Sequence, residues 1–140
     1  INFLLALAEI VYYGFFACFI GWQVNGEPPV DTSSVWANVW IGVFLIAVVC
    51  NCITHILLRF NDRRKYPRGW FFTQLSCPHY FFEVLTWFAF ACITECWAAF
   101  VFAGVTFVIL CIYARERHLA YRHNFPWYPP YRKALIPYVF

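Results

Sequence analysis

The sequence has few charges and no methionine, and it lacks the short motifs of most soluble enzymes. Only 12% of its 140 residues are charged, about half the usual fraction of a soluble domain, and 63% are hydrophobic. Its four histidines form no HxxxH or HxxHH pattern, which excludes a membrane di-iron hydroxylase, and no CxxC or Cys/His spacing indicates a metal site. Glycine-rich dinucleotide or phosphate loops are also absent. We therefore expect an integral membrane protein, with no metal and no nucleic-acid partner.

Apolar stretches of membrane-spanning length occupy most of the chain. A transmembrane helix needs about 20 apolar residues. The predicted fold class is all-α, a single polytopic integral membrane domain over 1–140 with about four transmembrane helices and a basic amphipathic C-terminal tail. The predicted spans cover about residues 1–22, 35–58, 78–94 and 95–114, and the tail covers 115–140. Because the chain starts at Ile1 and has no Met, we expect a fragment or a processed chain.

Helix-capping and helix-breaking residues mark the predicted boundaries. Residues 23–34 form a loop, and Thr32, Ser33 or Ser34 can cap the second helix. A short interfacial segment over 70–78 leads into the third helix, for which Pro78 suits the first turn. A very short turn near Glu95 predicts an antiparallel hairpin of the third and fourth helices. In the tail, a short amphipathic helix to Asn124 gives way to an extended path imposed by three prolines.

All positive charge falls on one side of the predicted bundle. The ten Lys and Arg residues lie in 59–68 or 115–133, whereas the segments 23–34 and 94–95 have none. Four spans with both termini inside satisfy the positive-inside rule, so this basic side is expected to face the cytosol or the mitochondrial matrix.

Two polar pairs lie where predicted helices meet this basic side. Asn51 and His55 are four residues apart, as are His79 and Glu83, so each pair shares one helix face. With Arg68 and the tail, these pairs can close around one phosphate-bearing cofactor beside a lipid substrate, because arginine binds phosphate bidentately.

Two other interpretations of these basic and polar residues remain open. Basic loops also contact lipid headgroups without any site, and polar pairs also hold helices together by hydrogen bonds. An acyltransferase built on the Cys77 thiol would lack a third orienting group.

Two stretches, RGWFFTQLSCPHYFFEVLTW and ARERHLAYRHNFPWYPPYRKALIPYVF, resemble the C-terminal domain of the steroid 5α-reductase family. The sequence is most similar to the very-long-chain trans-2-enoyl-CoA reductase branch. The similarity to that branch lies in Asn51-xxx-His55 before Leu58-Arg59, Ser76-Cys77-Pro78 and Tyr12-Tyr13. The ending YPxxRxxxIP is the most specific part of the resemblance.

The resemblance implies a membrane reductase that transfers hydride from NADPH to a conjugated C=C bond of a lipid or acyl-CoA substrate. It also implies the endoplasmic reticulum, with the mitochondrial inner membrane as the alternative. No catalytic residue is assigned. The candidate cofactor-binding residues are Asn51, His55, Arg68, His79, Glu83, His118, Tyr121, Arg122 and Arg132.

The sequence departs from the family pattern in two ways. The family usually has Asn at the position of His79, which alters a cofactor contact, and its proton-donating Tyr and partner Glu lie on helices upstream of this chain.

Three hypotheses about the function follow from the resemblance and these departures. The first is an NADPH-dependent lipid enoyl reductase, and the second is an inactive family member serving as an accessory subunit of a larger membrane complex, such as a respiratory assembly. The third, an isoprenylcysteine-type methyltransferase, ranks last because RERHLAYRHNF lacks the Glu-Glu pair and FG step of that family.

Overall fold

The computed structural model describes residues 3–26, 33–62 and 65–136, which contain helices and loops and no strand. Residues 27–32 of the predicted first loop, 63–64 of the basic loop and the chain end from 137 lie outside the described residues. The helices are α1 (Phe3–Gly26), α2 (Val35–Phe60), α3 (Pro78–Thr94) and α4 (Trp97–Asn124), with a 3₁₀ turn over Trp70–Thr73 before α3. α2 packs most extensively on α3, α3 packs on α4, and α4 also contacts α1.

Two helices of the described part, α2 and α4, are long and apolar enough to cross a membrane. Large apolar side chains such as Phe15 of α1 and Ile46 of α2 are exposed on the outside of the bundle, where lipid can cover them. These features support a membrane protein with an all-helical fold. The count of four spans stays a prediction. α3 has 17 residues, which is slightly fewer than the about 20 that a transmembrane helix needs.

The predicted helix starts agree with the structure. Ser34 caps α2, because its Oγ accepts a hydrogen bond from the Ala37 N–H at 3.1 Å. Pro78 is the first residue of α3, where the missing N–H of proline costs nothing. The turn after α3 is as short as predicted, and Glu95 adopts a left-handed conformation there, with φ 52°.

One predicted boundary is wrong. α1 continues past residue 22 to Gly26, and the Gln23 side chain stabilises the extra turn, since its Oε1 accepts the Ala98 N–H of α4 at 3.1 Å. The fourth helix and the amphipathic helix predicted for the tail form one continuous helix, which ends at Asn124 as predicted. No residue of the basic segment 115–124 disfavours a helix, so α4 continues to Asn124 and ends before Pro126.

The segment before α3 is partly buried within the protein, and its predicted position at the membrane interface stays a prediction. Phe72 and Leu75 are in the core, whereas Thr73 and Gln74 are exposed. The chain end covers this segment as a strap, which we define as residues 125–136. Three backbone hydrogen bonds of 2.8, 2.9 and 3.1 Å join residues 74–77 to residues 133–134 of the strap. The strap is therefore an integral part of the basic end of the bundle.

Gly69 allows the chain to turn from the basic loop into the 3₁₀ turn. Its backbone, at φ 100° and ψ 160°, lies in a region that is almost restricted to glycine. We expect Gly69→Ala to lower the free energy of unfolding by about 1–3 kcal/mol, although no atom lies within 4 Å of the added Cβ. Gly104→Ala is the matched control, because that helical site is equally open and should be neutral or stabilising. Equal thermal unfolding midpoints for both variants in one detergent would contradict the prediction.

Candidate cofactor site at the basic end

The end of α2 and the start of α3 bring the two predicted polar pairs together. The Asn51 side-chain amide donates a hydrogen bond to the backbone carbonyl of His79 at 3.1 Å. The His55 and His79 rings face each other with centroids 5.2 Å apart. Glu83, one turn further along α3, is partly buried and interacts electrostatically with His55. These four candidate residues form one cluster, which we call the histidine cluster.

Within the histidine cluster, one ring nitrogen has no hydrogen-bond partner. The Nδ1 atom of His79 is buried and unpaired among the described residues. Asn51 donates to the backbone carbonyl of His79 and not to its imidazole. Buried polar atoms in proteins are almost always hydrogen-bonded, so this nitrogen lacks a partner that such atoms normally have.

Arg132 lies beneath the surface of the strap, in a cage of two tyrosines. It is only 5% exposed, and its NH1 donates to the Pro67 carbonyl at 2.9 Å. The guanidinium carbon is 5.0 Å from the centroid of the Tyr66 ring and 5.2 Å from that of Tyr128. Its Nε has no hydrogen-bond partner, and no carboxylate of the described part pairs with it. A buried cation that no described carboxylate neutralises favours binding of an anion nearby.

Arg68 extends this positive region to the surface. Its guanidinium lies over the Tyr66 ring, 4.6 Å from the centroid, and its NH2 donates to the Tyr66 hydroxyl at 2.9 Å. Arg68 is exposed, whereas Arg132 is buried. Tyr66 thus interacts with both arginines, one accessible to a ligand and one below it.

Three hydroxyl and imidazole groups connect the strap to α4. The Ser76 Oγ lies 2.6 Å from the His118 Nδ1 and 2.6 Å from the Tyr128 hydroxyl. Tyr121, one turn after His118, has its ring stacked on the Tyr128 ring with centroids 5.8 Å apart. His118 and Tyr121, both candidates from the sequence, are therefore positioned by Tyr128, which the sequence analysis did not single out.

Arg122, another candidate from the sequence, has an exposed side chain on α4, and its positive charge acts on His118.

Arg117 is a basic residue that the sequence analysis missed. Its guanidinium interacts electrostatically with Cys77, Tyr80 and Tyr121, and also with His79 of the histidine cluster. It therefore lies between the histidine cluster and the strap. The signal was present in the sequence, because Arg117 and Tyr121 are four residues apart and share a face once α4 is continuous.

Cys77, buried under the strap, is expected to be an unreactive thiol. Burial raises its pKa to about 12, and the nearby positive charge of Arg117 only partly opposes this effect. The thiolate is the reactive form, and an unfolded cysteine has a pKa of about 8.5. At pH 8.5 we expect alkylation of Cys77 to be roughly 1,000-fold slower in the native protein than in denaturant. Mass spectrometry of iodoacetamide-treated protein measures both rates, and fast native labelling would contradict the prediction.

Apolar clefts lie between the helices, away from these charged residues. One of about 260 Å³ lies between α1 and α4 beside Tyr12 and Thr106, and one of about 510 Å³ lies where α1 meets α3 and α4. Neither is lined by any of the nine candidate residues. Their aromatic and aliphatic walls suit apolar groups, whereas the charged end of the bundle suits an anion.

The comparison with known proteins identifies the chain at the level of its family. Residues 2–140 match the family described as 3-oxo-5-alpha-steroid 4-dehydrogenase. The chain is a member of this family. The resemblance to steroid 5α-reductases that the sequence indicated is thereby confirmed.

Curated relatives within this family fall into two named groups. The chain is 34% identical over 127 residues to a very-long-chain enoyl-CoA reductase of Dictyostelium discoideum, a match that covers 86% of the chain and 41% of the relative. It is 30% identical over 145 residues to 3-oxo-5-alpha-steroid 4-dehydrogenase 1 of Bos taurus (91% and 56%). It is 36% identical over 118 residues to the steroid 5-alpha-reductase DET2 of Arabidopsis thaliana (79% and 45%). The chain thus spans about half of the length of these family members.

The basic end of this family member has the donor set that a phosphate-bearing cofactor needs. It offers exposed arginines in Arg68 and Arg117, a buried guanidinium in Arg132 that no described carboxylate neutralises, and a buried His79 nitrogen that is unpaired among the described residues. Arginine donors bind phosphate oxygens. The residues present therefore fit such a cofactor.

Proposed function

We propose that this chain forms the NADPH-binding part of a membrane reductase that acts on a conjugated C=C bond of a lipid substrate, of the enoyl-CoA or steroid type. Its relatives carry the names of enoyl-CoA reductases and steroid 5-alpha reductases. The observation that carries the proposal is Arg132, a buried cation in a tyrosine cage with an unpaired Nε and no described counter-charge.

The proposed roles follow from where each group lies. Arg68 and Arg117 bind the phosphates of NADPH directly, while Arg132 keeps Tyr66 and Pro67 in place and adds positive potential from below. Bound NADPH supplies the hydride, and the protein's task is to position it. The Glu83 carboxylate, which makes no hydrogen bond to another described residue, can accept an N–H at the nicotinamide end.

Asn51 and His79 complete this end of the proposed site. Asn51 fixes the first turn of α3 by its bond to the His79 carbonyl, so that the unpaired Nδ1 of His79 stays turned inward. An imidazole at this position can contact a carboxamide in place of the usual family amide. A lipid substrate would reach the site from the bilayer side, where the walls are apolar.

A deuterium-transfer assay tests the proposed function. The native protein, purified in detergent, is incubated with NADPH deuterated at the transferable position and with a long-chain enoyl-CoA or a conjugated keto-steroid. In the expected reaction the deuteride adds to the β-carbon, a solvent proton adds to the α-carbon, and NADP⁺ forms. Mass spectrometry then finds one deuterium per reduced product. Binding of NADPH without any transfer to either substrate would contradict the reductase and favour the accessory-subunit hypothesis.

A further inference from the structure

The hydrogen-bonded group of Ser76, His118 and Tyr128 joins three separate segments at the basic end. Ser76 lies just before α3, His118 on α4 and Tyr128 in the strap. Ser76 is 1% exposed and Tyr128 is 7% exposed, so both hydroxyl groups are shielded from water. The two distances from Ser76 Oγ, to His118 Nδ1 and to the Tyr128 hydroxyl, are both 2.6 Å, which is short even for a hydroxyl donor.

The number of protons available in this group indicates which atom donates in each of its two hydrogen bonds. Among the described residues, the only side-chain hydrogen-bond partner of the Tyr128 hydroxyl is Ser76. If Ser76 donated to Tyr128, the buried phenol proton would have no acceptor among the described residues, a situation that proteins avoid. This favours Tyr128 as the donor to Ser76. The Ser76 proton then has one described acceptor left, the Nδ1 of His118.

We propose that Ser76 and Tyr128 are positioning residues that hold His118 as the neutral tautomer with its proton on Nε2. An acceptor Nδ1 leaves Nε2–H as the donor of the ring, and this donor is available to a ligand oxygen at the basic end. Burial of the ring and, to a smaller extent, the positive charges of Arg122 and Lys133 lower the pKa of His118 and so favour the neutral form. This proposal extends the proposed function. The contact between Nε2–H and a ligand rests on the proposed function, whereas the tautomer of His118 does not.

The tautomer can be measured without any ligand. Protein labelled with ¹⁵N-histidine is studied by NMR in detergent at pH 8, where an ordinary histidine is neutral. The His118 signals are assigned by their loss in His118→Gln. The wild type is expected to show an unprotonated Nδ1 and a protonated Nε2. Ser76→Ala should shift both nitrogens toward a mixture of tautomers, and Tyr128→Phe should do so to a smaller extent.

A matched variant and a second tyrosine change keep this test decisive. Tyr131→Phe removes a hydroxyl from an exposed tyrosine of the same strap and should leave the His118 signals unchanged. If Ser76→Ala does not fold, Tyr128→Phe still decides. A protonated Nδ1 in the wild type, or wild-type signals in both Ser76→Ala and Tyr128→Phe, would overturn the proposal.

The ligand part has its own measurement. We expect Ser76→Ala to weaken NADPH binding about two- to tenfold, which is the effect of misorienting one neutral hydrogen-bond donor, while Tyr131→Phe has no effect. A changed tautomer with unchanged NADPH affinity would overturn the ligand part. If the wild type bound no NADPH at all, the proposed function would fail, whereas the NMR result would still decide the tautomer.

Discussion

Arg132→Ala is expected to abolish high-affinity NADPH binding and to destabilise the basic end of the protein. The substitution removes the hydrogen bond to Pro67 and the contacts with both tyrosine rings. A hydrogen bond from a charged group contributes about 1.5–3 kcal/mol, and each cation–π contact about 0.5–2 kcal/mol. We therefore expect about 3 kcal/mol lower stability and an NADPH affinity reduced at least tenfold.

Two further variants separate charge from shape in this prediction. Arg132→Lys keeps the positive charge but loses the planar stacking, so its affinity should lie between those of the wild type and Arg132→Ala. Arg115→Ala removes an exposed arginine from the same end of α4 and should change the stability by less than about 0.5 kcal/mol. Thermal unfolding and fluorescence titration with NADPH measure both quantities. Wild-type affinity in Arg132→Ala would refute the role of this residue.

Glu83→Gln is expected to weaken NADPH binding while leaving the fold intact. The change keeps the size of the side chain and removes its negative charge. A hydrogen bond from a ligand N–H to a carboxylate is worth about 1.5–3 kcal/mol, so we expect the affinity to fall at least tenfold. Because Glu83 makes no hydrogen bond to another described residue, stability should change little. Its carboxylate interacts electrostatically with His55.

The contrast with Arg132 makes the Glu83 prediction specific. Arg132→Ala should alter both stability and affinity, whereas Glu83→Gln should alter affinity alone. Glu116→Gln, at an exposed carboxylate of α4, is the matched control and should alter neither. Loss of stability in Glu83→Gln without any change in NADPH affinity would mean that Glu83 only holds helices together.

Local patterns predicted the helices well because their causes are local. Apolar length and capping residues located α2 and α3, and the four-residue spacings predicted the shared faces of Asn51 with His55 and of His79 with Glu83. These pairs meet because consecutive antiparallel helices place the end of one beside the start of the next. The helix end at Asn124 was also predicted, because the prolines that follow cannot continue a helix, whereas the change of polarity near residue 115 leaves helix propensity unaffected.

The site around Arg132 could not be predicted from local sequence. Its contacts join Tyr66 and Pro67 to Tyr128 across more than sixty residues of the chain, and only tertiary packing creates them. The strap over residues 74–77 is equally non-local. The sequence therefore indicated which residue types could bind a cofactor, but not that the most important arginine lies below the surface.

Saturable NADPH binding by the native protein in detergent is the most direct test of this account. Isothermal titration of the wild type, Arg132→Ala and Glu83→Gln, each first shown to be folded by circular dichroism, gives the answer. The account predicts a single saturable site in the wild type that both substitutions weaken at least tenfold. A folded wild-type protein that binds no NADPH would contradict it and leave the basic end a structural surface.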